Sequence, residues 1–320
     1  MAAGQSRNKS RDRRSARRRA EEERERRLAE QAARERRQQT IIGVIVSVVV
    51  LALVAVIGVV VYRNLHPSSS SSSSLTAQEA YEKLQAVTTK PSRATSKGGF
   101  LMSKNGYGKK ATGAPTVAIY MDPLCPGCGN FNRQADSTLI SLMDAGQINI
   151  EIHPMAFLDS SSSDDYSSRV STAIAYIAEN DDDPDHLLDF ISRIYASDFQ
   201  PSEGSDYVSV SDAKLKAQAI KAGVPKKIAD KAFTRKYQAW LDAVDAYTPK
   251  RKELWGSSGS MSTPTVTVNG TMLDLSEFSS LGLELKTGIL KSLGLTESQV
   301  GKEGELPSIG ASGKPVSLSS

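Results

Sequence analysis

Cys125-Pro126-Gly127-Cys128 contains the only two cysteines of the 320-residue chain, placed between a strand-like run and a helix-like one. The preceding Thr116-Val117-Ala118-Ile119-Tyr120-Met121 is β-branched and apolar, the pattern of a buried strand, while Phe131, Ala135, Leu139 and Leu142 recur afterwards at helical spacing. A strand, CxxC, helix unit puts Cys125 at a helix N-terminus, where unpaired N–H groups and the helix dipole favour a thiolate, the form that attacks disulfides. Cys128, one turn on, is placed to resolve a mixed disulfide. A zinc half-site would need further thiolates or clustered imidazoles, yet His66, His153 and His186 are scattered. A structural bridge closing so short a loop would remove little unfolded-state entropy, so redox chemistry is the stronger reading.

The second constraint is Ile41 to Tyr62, an uncharged run of Ile, Val, Leu and Ala. At ~1.5 Å per helical residue it is long enough to cross a ~30 Å hydrocarbon core. It lacks the polar face of a soluble helix, and its apolar length exceeds the ~7–15 residues of a cleavable signal. The expectation is an uncleaved signal anchor over 41–62. Residues 1–40 carry 14 Lys or Arg against 7 Asp or Glu, which predicts a cytoplasmic N-terminus and an extracytoplasmic remainder, a single-pass protein of the cell membrane. The formal charge is +4 for the whole chain, so the part beyond this tail is near −3 and its charge gives no reason to expect nucleic-acid binding. Residues 63–76, with serines from Ser68 to Ser74, read as a tether spanning ~20 Å, and the Gly-, Ser- and Pro-rich residues 295–320 read as a flexible tail.

Between them, 77–294 is long enough for one large domain with a real core. Helical spacing appears near Ala77–Val87, from Cys125 to about Asp144, and over Tyr166–Glu179, Pro184–Ala196, Ser211–Ala222, Pro225–Tyr247 and Leu275–Leu293. Strands are expected at Phe100–Ser103, Thr116–Met121, Ile148–His153, where apolar and polar residues alternate, and Thr265–Val268, with Asn269-Gly270 turning the chain into Thr271–Leu273. The order is that of an α/β, thioredoxin-like fold with a helical subdomain inserted at about 160–250 and one transmembrane helix before it.

The string from Tyr120 to Gly129 around the CPGC pair, with the later Ser262-Thr263-Pro264-Thr265-Val266-Thr267-Val268-Asn269-Gly270, resembles DsbA-like thiol:disulfide oxidoreductases. The helix start Ser167-Ser168-Arg169 and the anchored layout resemble the membrane-tethered actinobacterial members. The resemblance implies an exposed nucleophile at Cys125, a buried resolving thiol at Cys128, a cis-proline at Pro264 and a backbone edge at Thr263 that receives an extended substrate by strand addition. Outside that resemblance, Pro264 reads as an ordinary trans proline opening a strand. It further implies no cofactor beyond the redox-active disulfide. Its partners would be cysteine-containing exported polypeptides and a quinone-linked membrane protein, DsbB-like or vitamin K epoxide reductase-like, that recharges the site.

Three features depart from familiar patterns. Ile119 stands six positions before Cys125, where thioredoxin-fold enzymes often keep a buried acid. Asp122 is nearer and matches an acidic position of DsbA-like relatives, although Asp before Pro123 also suits a turn. Pro126 and Gly127 modulate the pair without the histidine of strongly oxidising members, which predicts an intermediate potential. Tyr166, Tyr176, Tyr195, Trp240 and Tyr247 read as core rather than groove. Asp181, Asp182, Asp183 and Asp185 read as helix-capping acids rather than metal ligands, and Ser160 to Ser163 as a loop. The leading function is oxidation of exported thiols. A disulfide reductase or isomerase is the alternative in the same class, and a non-catalytic chaperone-like binding module with a structural disulfide is the one outside it.

Overall fold

A computed structural model describes residues 75–318. The basic tail, the expected membrane span and the serine run up to Ser74 lie outside the described residues. The first helix, α1 (Ala77–Ala86), starts at Thr76, whose hydroxyl accepts from Glu79 N while the Glu79 carboxylate returns to the Thr76 N–H. A short antiparallel pair, β1 (Phe100–Ser103) and β2 (Gly106–Tyr107), leads into β3 (Thr116–Met121), α2 (Pro126–Asp144) and β4 (Asn149–Pro154).

The sheet order is β2-β1-β4-β3, then β5 (Thr265–Val268) and β6 (Thr271–Met272). Strands β3 and β4 are parallel, with Thr116 opposite Asn149 and Met121 opposite Pro154, and α2 is the connection this geometry requires. The other pairings are antiparallel, with β5 running back along β3 from Thr265 opposite Tyr120 to Val268 opposite Val117. This register brings the start of β5 beside the end of β3, where the CPGC turn begins.

Every residue of β3 is buried, as its unbroken apolar run requires for a central strand. In β4 the expected alternation does not produce a wet face, because only Glu151 is partly exposed and Asn149 and His153 are buried. His153 stacks on Tyr120 with centroids 4.1 Å apart and lies 3.1 Å from Glu151 through Nε2, so the polar side of β4 is covered by partners.

Between β4 and β5 come α3 (Tyr166–Asn180), α4 (Pro184–Ile194), α5 (Asp212–Lys221), α6 (Lys226–Ala232) and α7 (Gln238–Tyr247). The single helix expected over Pro225–Tyr247 is two. Arg235 adopts a left-handed backbone (φ 56°) and bonds Asp165 and Gln238, and α7 then restarts with Trp240, Leu241 and Val244 in the core. The last helix also divides, into α8 (Leu275–Ser280) and α9 (Leu285–Leu293), at Gly282, whose φ of 66° favours glycine. The Asn269-Gly270 turn forms as its residues demand, with φ 50° and 80°. Tyr166, Tyr195, Trp240 and Tyr247 are buried, and Asp183 caps α4 through Asp185 N.

The tail expected to be flexible is tied down. Although 300–318 contains neither helix nor strand, the buried Gln147 amide donates to Gln299 O (2.9 Å) and Glu305 O (2.6 Å) and accepts from Gly301 N (2.8 Å). Asn269 Nδ2 donates to Gly310 O and Gly313 O. Composition missed this because side-chain amides elsewhere supply the partners that the segment lacks within itself. Among the described residues no helix is long and apolar enough to cross a membrane.

Buried Asn149 fixes the approach to β3, accepting from Ala111 N (2.7 Å) and donating to Ala114 O (3.0 Å). Replacing Asn149 with Ala is expected to destabilise the protein by about 2–4 kcal/mol, since each buried group left unpaired costs about 1–3 kcal/mol. Urea unfolding should show a lower midpoint with an unchanged slope.

Candidate functional site

The site begins with a capping problem. The first turn of α2 has free N–H groups, and Cys125, in an extended conformation just before the helix, caps it with sulfur: Cys128 N lies 3.4 Å from Cys125 Sγ. Pro126 at the first helical position costs no hydrogen bond and pre-sets the backbone for the turn. Both cysteines are free thiols. Cys125 is 7% exposed and Cys128 2%, so the nucleophile position is far less open than the resemblance implied. The cover comes from the loop before β5: Cys125 Sγ donates to Thr263 O at 3.2 Å, and the Thr263–Pro264 bond is cis. Gly127 faces the same ring, since a Cβ there would lie 3.2 Å from Pro264 Cδ. Cys125, Cys128, Pro126, Gly127, Thr263 and Pro264 are thus brought together, though about 135 residues of chain separate the two motifs.

The two thiols are driven apart in acidity. A hydrogen bond from Cys128 is the largest of the effects that hold Cys125 below the ordinary thiol value; the Thr263 side chain and the Cys128 N–H add to it, against burial. Burial, then the hydrogen bond and charge of Cys125, push Cys128 well above that value. The Cys125 thiol is therefore the more acidic of the two.

Asp122 is fully buried beneath the pair. Burial pushes its carboxyl up to about 6, against donors from Ser167 Oγ (2.6 Å), Leu124 N (2.9 Å) and Leu158 N (2.9 Å). The Leu124 bond is the turn expected of Asp before proline, so Asp122 both shapes the loop and places a titratable group next to the sulfurs. Ser167, read from sequence only as part of a helix start, is thereby a site residue.

Two further residues had no functional signal in the sequence. Tyr195, read as core, is 1% exposed and donates through its hydroxyl to Asp122 O at 2.8 Å. Gln200, in the turn after α4, donates from Nε2 to Cys125 O at 3.0 Å and Pro123 O at 3.3 Å. Tyr195 carried only the signal of a buried tyrosine needing a partner, and a lone glutamine in a loop carries none.

A family model described as thioredoxin matches residues 106–283. Among curated proteins, the serine/threonine-protein kinase PknE of Mycobacterium tuberculosis and that of Mycobacterium bovis are 35% identical over 91 residues, 28% of this chain. That match spans only 16% of the kinase's length. Among solved structures, the chain is similar to reduced DsbA from Mycobacterium tuberculosis (25% identity, TM-score 0.44, covering 60% of this chain and 97% of that one). It is also similar to the thiol-disulfide oxidoreductase MdbA from Actinomyces oris (21% identity, TM-score 0.47, covering 65% and 92%).

Alkylation of the reduced protein should modify Cys125 and spare Cys128, with the rate reaching its plateau below the ordinary thiol pKa; equal labelling of both would contradict the geometry. Asp122 should also leave a signature in stability. Its folded pKa is raised, so its contribution is fully present below the ordinary value of 3.8 and is lost as pH rises through about 6. The stability advantage of wild type over Asp122→Asn, read by urea unfolding, should therefore shrink between pH 4 and pH 7.

Proposed function

The chain belongs to the thioredoxin family, and from that premise we propose that its Cys125 and Cys128 form the centre of a disulfide oxidoreductase that oxidises thiols of exported proteins outside the membrane. The observation that carries this reading is the Cys125 sulfur itself, capping α2 at 3.4 Å from Cys128 N with its thiolate favoured, beside the Thr263 carbonyl. A stabilised thiolate lowers the energy of the reduced protein and so makes its disulfide the stronger oxidant.

In the proposed cycle a substrate thiolate attacks Cys125 Sγ of the Cys125–Cys128 disulfide. The S–S electron pair leaves on Cys128, which takes a proton; Asp122, a buried carboxyl whose pKa burial raises, is the group we assign to that transfer. A second substrate thiolate then attacks the substrate sulfur of the mixed disulfide, Cys125 departs as the favoured thiolate, and the substrate leaves with a disulfide. The two electrons stay on the Cys125 and Cys128 thiols until a quinone-linked membrane partner, DsbB-like or vitamin K epoxide reductase-like, removes them. The disulfide is the only electron carrier this cycle needs. Thr263 would offer backbone to an extended substrate segment, and Pro126 and Gly127 would set the first turn. Residues 41–62 would hold this domain at the outer face of the membrane, with residues 1–40 in the cytoplasm; the supporting evidence is the apolar length and the charge bias.

In full-length protein, Cys125→Ser should abolish oxidation of a reduced, unfolded substrate. Cys128→Ser should accumulate mixed disulfides on Cys125, visible as reductant-sensitive adducts; absence of any adduct would overturn the order of attack. Equilibration with glutathione should place the potential between about −120 and −200 mV, whereas a value below about −250 mV would assign the reductase role instead.

A further inference from the structure

The loop that carries Cys125 is held by one short segment of the helical insertion. Three of its carbonyls receive side-chain donors from residues 195–200: Asp122 O from the Tyr195 hydroxyl, and Pro123 O and Cys125 O from Gln200 Nε2. Gln200 is itself fixed at both ends. Its backbone N donates to Ala196 O at 2.9 Å, and its Oε1 accepts from Arg133 Nη1 at 3.3 Å. Arg133, two turns into α2, also donates from Nη1 to Tyr195 O at 2.7 Å. Room for this clamp exists because position 129 is glycine: a Cβ there would overlap Gln200 Oε1 and crowd the Arg133 guanidinium.

We infer that Gln200, braced by Arg133, is a positioning residue that sets the acidity of Cys125. This rests on the reading of the CPGC pair as a thiol–disulfide exchange centre. The Cys125 carbonyl already accepts Gly129 N at 3.1 Å within the helix, and it belongs to the same residue as the sulfur. Its oxygen is the negative end of a dipole close to the thiolate, which that dipole disfavours. The Gln200 N–H places positive partial charge on this oxygen and on Pro123 O, offsetting the dipoles in a site where burial weakens screening. The same bonds keep the loop in the conformation in which Cys125 caps α2. The insertion would then tune the reactive sulfur through its backbone.

The test uses full-length protein carrying Gln200→Leu, Gln200→Glu or Gln200→Lys, with melting temperatures recorded for each. Two quantities are read: the pH dependence of Cys125 alkylation, located by mass spectrometry, and the dithiol–disulfide equilibrium with glutathione. Leucine keeps the bulk and removes the donors, so the alkylation profile should move to higher pH. The equilibrium should shift toward disulfide by about fivefold, the weight of roughly one hydrogen bond. Glutamate removes the donors and adds a negative charge, and should shift both further. Lysine restores a donor and should return both to the wild-type values or beyond. If all three variants alkylate like wild type, whatever their melting temperatures, Gln200 serves the fold alone and the inference fails. Absence of any exchange by wild type would instead overturn the oxidoreductase reading, and the order of the alkylation profiles would still decide the role of Gln200.

Discussion

A helix that begins against a central strand leaves its first N–H groups without internal partners, and here sulfur takes the place usually held by the oxygen of Ser, Thr, Asp or Asn. A cap accepts hydrogen bonds, and an anion accepts them best, so the capping duty of Cys125 and its proposed nucleophilicity are the same property. The remainder of the site follows from it. Cys128 must be close enough for its N–H to reach that sulfur, at 3.4 Å, and its own thiol is then buried beside a developing anion, which keeps it protonated. The difference between two chemically identical side chains comes from which of them stands before the helix and which stands inside it.

Holding the cap in place requires the loop 122–125 to be rigid, yet a tight turn exposes carbonyls that the sheet and helix cannot use. The insertion answers this need from one side through Tyr195 and Gln200 and through Ser167, which bonds the Asp122 carboxyl. The loop before β5 closes it from the other through Thr263 O. Each partner is polar and mostly buried, and such networks are worth most when every member is satisfied. The insertion is thus part of the site's construction as well as an added wall beside it.

At the opposite end of the sheet another set of amides does comparable work. Asn149, Gln147 and Asn269 bond the approach to β3 and the C-terminal segment to the starts of β3 and β4 and the end of β5. They secure the register that carries Met121 and Thr265 to the end holding the Cys125 and Cys128 pair, where a slip of one residue would turn every side chain to the other face.

The sequence alone determined the local elements and the chemistry of the pair. Periodicity placed β1, β3, α2 and β5 almost to the residue; Asn269-Gly270 specified its turn, and two cysteines three apart after a buried strand left few uses other than redox. These features depend on interactions between near neighbours in the chain, so they are written in short windows. What only the tertiary structure decided depends on distant partners: the burial of Cys125 under Thr263, the cis state of Pro264 outside the family resemblance, Asp122 as a buried acid as well as a turn former, the breaks at Arg235 and Gly282, and the strapped C-terminal segment. Gln200 marks the limit most clearly. Nothing near it in the chain differs from an ordinary surface turn, and its place beside Cys125 exists only because α4 ends against the first turn of α2, where Gly129 leaves room.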